Sequence, residues 1–295
     1  MAARNHLTFL ERLQIPRPLL LDGATGTELN RRGVDTGLPL WSAKALLDSP
    51  DVVREIHRDY VEAGAEMITA NTFRTYRRTL AHAGLGEQAA ELTALAVQLA
   101  REAAGEKAWV VGSQPPLEDC YSPELCPDEA ALAEEHAEMA ANLANAGVDA
   151  ILAETHNTIR EAVAATRAAM ATGLPVLVSF VCGNDGRLLS GESLSDAVRA
   201  VVPFHPVAIL VNCVPAEIVV PLLREIQQAA PGIPRGAYAN IGRPDPVQGW
   251  VNTDAQEPDR YAEFAEQWLA AGAKIIGGCC GTTPAHIRRI RRRLP

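Results

Sequence analysis

The chain has 295 residues, 47% hydrophobic and 21% charged, enough to bury one large core or two ordinary ones. A net charge of −9 makes an acidic surface that repels nucleic acid and anionic membranes. No run of about 18 apolar residues occurs, and Glu11, Arg12 and Gln14 break the opening MAARNHLTFLERLQIP where a signal peptide needs an unbroken apolar core. The expected location is therefore cytoplasmic, where cysteine clusters more often mean metal or catalysis than disulfides.

After a short leading segment of about 15 residues, apolar runs alternate with helical stretches. LLLDGA (19–24) carries Asp22, EMITANTF (66–73) ends with Asn71 and Thr72 near its close, and AWVVGSQ (108–114) ends in Ser113 and Gln114. AILAETH (150–156) ends in Glu154, Thr155 and His156, and PVLVSFVC (175–182) carries Ser179 and Cys182. AILVNCV (208–214) carries Asn212 and Cys213, PRGAYANI (234–241) carries Asn240, and AKIIGGCC (273–280) ends in Cys279 and Cys280. Such near-continuous apolarity suits parallel strands buried on both faces. The intervening stretches, among them SPDVVREIHRDYVEAGA and EPDRYAEFAEQWLAAGA, open with Pro chemistry and close on Gly, as helices do. About eight alternations predict a single-domain (β/α)8 TIM barrel over residues 1–295. A doubly wound sheet fits less well, because DGATGTE does not match G-x-G-x-x-G. In a barrel the polar strand ends converge on one face, and the long segments 25–50, 115–127 and 242–258 are expected to fold over it. The arginine-rich end, Arg288 to Arg293, reads as the cationic C-terminal turn of a helix.

The pair Cys279-Cys280 needs its own explanation. Neighbouring side chains of a strand face opposite ways, so two adjacent cysteines that act together require the chain to leave strand geometry there. With Cys213 at another strand end they offer three soft thiolates, a set that favours tetrahedral Zn2+ with its fourth position open. Three thiolates leave the ion a weak Lewis acid toward water but able to lower the pKa of an incoming thiol. The expected chemistry is thiol alkylation rather than hydrolysis. Asp22 and Glu154 are available to an ammonium group, and the backbone of GATGTE to a carboxylate. Cys120, Cys126 and Cys182 read as packed thiols, and His156 is not needed as a ligand. A Schiff-base aldolase is disfavoured: the only lysines are Lys44 in a loop and Lys107 and Lys274 at the starts of strands.

DGATGTEL, ANTF, AETH, VNCV and above all GGCCGTTPAHI resemble the homocysteine S-methyltransferases, from about residue 16 to the C-terminus and in that family's order. The resemblance implies a zinc site on Cys213, Cys279 and Cys280, with the sulfur of homocysteine as the methyl acceptor and methionine as product. It also implies that Asp22 and Glu154 hold the amino group, that Gly23 begins the cradle for the carboxylate, and that Asn212 orients the site. The chain departs from members that use S-methylmethionine after the third strand, where it reads GSQPPLEDCYSPEL, and at ETHN and YAN. These departures fall where the methyl donor is read. The expected donors are S-methylmethionine or S-adenosylmethionine, then betaine, with Trp41, Tyr121, Phe180 and Trp250 as aromatic candidates for the cationic methyl group. The alternative is an acceptor module that takes its methyl group from a separate corrinoid protein.

Overall fold

A computed structural model describes residues 7–245 and 249–294. Among them the parallel strands are β1 (Leu19–Leu20), β2 (Met67–Ala70), β3 (Trp109–Gln114), β4 (Ala150–His156), β5 (Val176–Phe180), β6 (Ala208–Pro215) and β7 (Arg235–Asn240). After a hairpin of β8 (Gly242–Asp245) and β9 (Gly249–Asn252), β10 (Ala273–Gly278) completes the set. The sheet runs β1-β10-β7-β6-β5-β4-β3-β2. Leu21 bridges to Met67, with Asp22 N–H donating to the Met67 carbonyl at 3.0 Å, so the two end strands meet and the barrel closes. This is the (β/α)8 barrel that the alternating runs predict. Among the described residues no helix is long and apolar enough to cross a membrane.

Strand alternation divides the core in two. Leu19, Leu21, Met67, Val111, Leu152, Leu177, Leu210 and Ile275 fill the barrel interior. Leu20, Ile68, Val110, Ile151, Val178, Ile209 and Ile276 face outward against the helices. The helix Phe9–Gln14 closes the bottom: Phe9 meets Trp109 edge to face at 6.2 Å, and Phe9 and Leu13 are buried with the interior residues. The outer helices follow the expected start and stop chemistry. The helix Pro50–Ala63 has Pro at its first turn and ends on Gly64 at φ 110°, a conformation other residues avoid. Glu129–Asn145 is capped by Asp128, whose side chain accepts from Ala131 N–H at 2.9 Å. In Pro284–Arg293 the terminal arginines pair with acidic neighbours: Arg289 with Asp259, and Arg293 with Glu266 at 3.3 Å.

Candidate metal and substrate site

The C-terminal strand ends surround a cavity of about 510 Å³. Asp22, Ser113, Glu154, Thr155, Cys213, Tyr238, Cys279 and Cys280 line it, together with the residues from Gly23 to Thr27. The segments 25–50 and 115–127 wall it as expected, the first through Leu38, Trp41 and Ser42 and the second through Glu118 to Tyr121 and Leu125. Of the four aromatic candidates, Trp41 and Tyr121 line the cavity. Phe180 and Trp250 do not: Phe180 is fully buried in the outer core, and Trp250 donates its indole N–H to Asn252 at 2.8 Å. That expectation is corrected for Phe180 by strand alternation, which turns it outward, and for Trp250 by its absence from the residues that line the cavity.

The sulfurs of Cys213, Cys279 and Cys280 all lie within 4.8 Å of one another, and none is in a disulfide. Both arms of the cluster leave regular strand geometry. Cys213 sits at φ 53° beside a register shift in β6, and Thr155 at φ 62° beside a similar shift in β4. Such positive φ values are strained for residues with a Cβ and persist only when the surroundings hold them. Asn212 is what holds these two. Its amide donates to Thr155 Oγ1 at 2.8 Å and to Cys213 Sγ at 3.4 Å, and its Oδ1 accepts from Thr155 N–H at 3.1 Å and Ser179 Oγ at 2.6 Å. On the other arm β10 ends at Gly278 and the chain turns. Thr282 N–H and Oγ1 both donate to the Cys279 carbonyl, at 3.0 and 2.7 Å. Asn240 accepts from Cys280 N–H at 3.0 Å. Gly281 follows at φ 84° with Ile241 so close that a Cβ would meet it at 2.3 Å. This turn is why adjacent cysteines serve one site.

Electrostatically the three thiols behave as one acid. Hydrogen bonds from Cys213 and Cys279 hold the Cys280 thiol well below its usual range, and the Tyr121 hydroxyl adds to them. Cys213 is pushed well up by its bonds to Cys279 and Cys280 and by burial. For Cys279, the bond with Cys213 lowers it, but the bond to Cys280 and burial win and push it up. Sulfurs on a tetrahedral ion with bonds of about 2.3 Å stand about 3.8 Å apart; here Cys213 Sγ and Cys279 Sγ are 2.7 Å apart, so those two must part to seat an ion. The three-cysteine set fits a metal site. His156 is not part of it: the ring is fully buried behind the strand and burial lowers its pKa to about 3. Cys182 is packed in the outer core, and Cys120 is buried with its thiol pushed up to about 12.

Two carboxylates stand in the same cavity. Asp22 accepts from Thr69 N–H at 2.8 Å and Thr69 Oγ1 at 3.3 Å, and Glu154 from the Ser113 hydroxyl and from Tyr238 OH at 2.8 Å. Burial pushes both pKa values up, that of Asp22 well up, with Glu154 adding repulsion to Asp22. Among the described residues neither has a cationic partner. At Gly23 a Cβ would fall 2.7 Å from Thr282 Oγ1 and 2.8 Å from Tyr60, so only glycine lets the backbone pass. The sequence reading did not single out Thr69, Tyr238 or Thr282. Tyr238 lies in the interior of an apolar run, where period-two counting assigns it to the barrel lumen but cannot say that it reaches Glu154. Lys274 donates to the carbonyls of Ile15 and Arg17 at the barrel bottom, far from any such chemistry.

Comparison with known proteins places this geometry in context. The family model described as Homocysteine S-methyltransferase matches residues 19–294. Homocysteine S-methyltransferase of Escherichia coli is 32% identical, over 93% of this chain and 94% of its own length. Methionine synthase of Mycobacterium tuberculosis is 32% identical over 98% of this chain, which spans 26% of that protein. Among solved structures, the metallated form of the homocysteine methyltransferase MmuM from Escherichia coli superposes with a TM-score of 0.83 at 31% identity, covering 96% of this chain and 98% of that one.

Proposed function

The chain belongs to the homocysteine S-methyltransferase family, and from that premise we propose that it transfers a methyl group to the thiol of homocysteine, giving methionine, with zinc held by Cys213, Cys279 and Cys280. The observation that carries this reading is the convergence of three free cysteines within 4.8 Å in the cavity that holds two buried, cation-free carboxylates. When bound, zinc would supply the charge that keeps an incoming thiol ionised at neutral pH.

The chain's own residues do the rest. Asp22 and Glu154 take the ammonium group of the amino acid, replacing by charge pairing the hydration that burial removed. The Gly23 to Thr27 backbone receives its carboxylate. Asn212 and Asn240 hold the cysteine-bearing turns at the geometry an ion requires. Trp41 and Tyr121 exclude water and offer ring faces to a cationic methyl group. S-Methylmethionine or S-adenosylmethionine is the favoured donor, then betaine.

A second reading has its own support. The match to a fraction of methionine synthase fits an acceptor module that takes its methyl group from a corrinoid protein. Zinc K-edge absorption on reduced, metal-loaded protein tests the acceptor: homocysteine raises the sulfur count from three to four, and a count unchanged at three overturns the assignment. Methionine formation from a free onium donor then separates the first reading from the second.

A further inference from the structure

The cavity has a second charged wall that the acceptor does not use. Phe73 and Arg74 stand in the loop after β2 and line the cavity with Trp41. The Arg74 guanidinium carbon lies 5.8 Å from the Phe73 ring centroid, and Phe73 meets Trp41 edge to face at 5.5 Å. Arg78, on the same wall, is neutralised by Glu118 at 3.0 Å and by Glu135. Arg74 has no ion pair among the described residues, and its Nε is buried without a hydrogen-bond partner. An orphaned donor of this kind costs stability until a ligand completes it.

The chemistry of the wall is selective. Aromatic faces attract the methyl groups of an onium centre, while the guanidinium beside them repels a molecule that is only cationic. A planar guanidinium fork matches a carboxylate. One molecule meets both demands when it carries a positive methylated sulfur or nitrogen at one end and a carboxylate at the other. Arg74, Asp119, Cys120, Glu154 and Cys280 all line this one cavity, and Cys120 feels the charges of the other four. The carboxylate of the acceptor already has its place at Gly23 to Thr27, which leaves Arg74 for the donor.

We propose that Arg74 is the donor-specificity residue: its guanidinium pairs with a carboxylate on the methyl donor and restricts donors to onium carboxylates. The assignment rests on the methyltransferase reading. In turnover the donor's methyl–sulfur or methyl–nitrogen bond breaks as the acceptor's sulfur–methyl bond forms. The donor leaves with that electron pair as a thioether or amine, the thiol proton passes to solvent, and the donor carboxylate is unchanged.

The test compares S-methylmethionine, betaine and the carboxylate-free trimethylsulfonium ion on zinc-loaded wild type, Arg74→Gln and Arg74→Lys, by turnover and by calorimetric titration. In Arg74→Gln, kcat/KM and affinity for the preferred carboxylate donor fall about 10- to 100-fold, values for trimethylsulfonium and the KM for homocysteine stay within about twofold, and Arg74→Lys recovers part of the loss. An equal loss on all three donors, or a rise confined to the homocysteine KM, overturns the assignment. So does calorimetry in which wild type shows no preference for a carboxylate. If that preference is present but no free donor is turned over, the fault lies with the methyltransferase reading instead.

Discussion

Two sets of buried charge stand at opposite ends of the barrel, and they are treated in opposite ways. At the bottom, Arg12 is 2% exposed, yet it donates to Glu66 at 3.0 Å and to the carbonyls of Arg17 and Pro18 at 3.0 and 2.7 Å. Glu66 also receives Arg17 at 2.6 Å and Arg291 at 3.2 Å. At the mouth, Asp22 and Glu154 are 2% and 7% exposed and receive only hydroxyl and amide donors. The bottom network is closed and leaves no valence for a ligand. The mouth keeps two buried carboxylates with no cationic partner among the described residues, and burying them is a standing cost to stability. Compensated burial marks architecture, and uncompensated burial marks a place kept for a ligand.

Substitutions separate the two ends. The largest effect is expected from Cys280→Ser, which removes one of three soft ligands: zinc retention and turnover are both lost, as metal analysis and a methionine assay would report, and full activity would refute the site. At the bottom, Arg12→Ala opens a buried network and should lower stability by about 3 kcal/mol, read as a lower denaturation midpoint with homocysteine KM unchanged. At the mouth, Glu154→Gln should do the reverse, raising the homocysteine KM about 10- to 30-fold while the free protein becomes no less stable.

The smallest effect is a pH slope. Because the folded pKa of Asp22 is raised, its contribution to stability is fully present below the unfolded value of about 3.9 and is lost as pH rises through the folded value. The substrate-free protein should therefore lose stability upward through that window, and Asp22→Asn should flatten the curve in a chemical-denaturation series. A curve in Asp22→Asn as steep as wild type would mean that Asp22 is already compensated, and the contrast between the ends would fail.

Much of this was legible in the sequence, because it depends on periodicity and residue type. The apolar runs located every barrel strand to within a few residues, and of the polar residues at their ends Asp22, Asn71, Ser113, Glu154, Thr155, Cys213, Cys279 and Cys280 line the cavity, whereas Thr72, Gln114, His156, Ser179, Cys182, Asn212 and Asn240 do not. The adjacent cysteines required a departure from strand geometry, and the turn after Gly278 supplies it. What only the tertiary structure decided depends on distance between segments remote in sequence. Asn212 locking Thr155 and Cys213, Tyr238 reaching Glu154, and Arg74 without an ion pair among the described residues while Arg78 is paired are facts about three-dimensional neighbours. Phe180 is the same lesson in reverse, since a strand's period turned it away from the cavity. A sequence sets which groups are available. The closed barrel, by bringing strand ends more than 200 residues apart around one axis, determines which of them meet and which are left for a ligand.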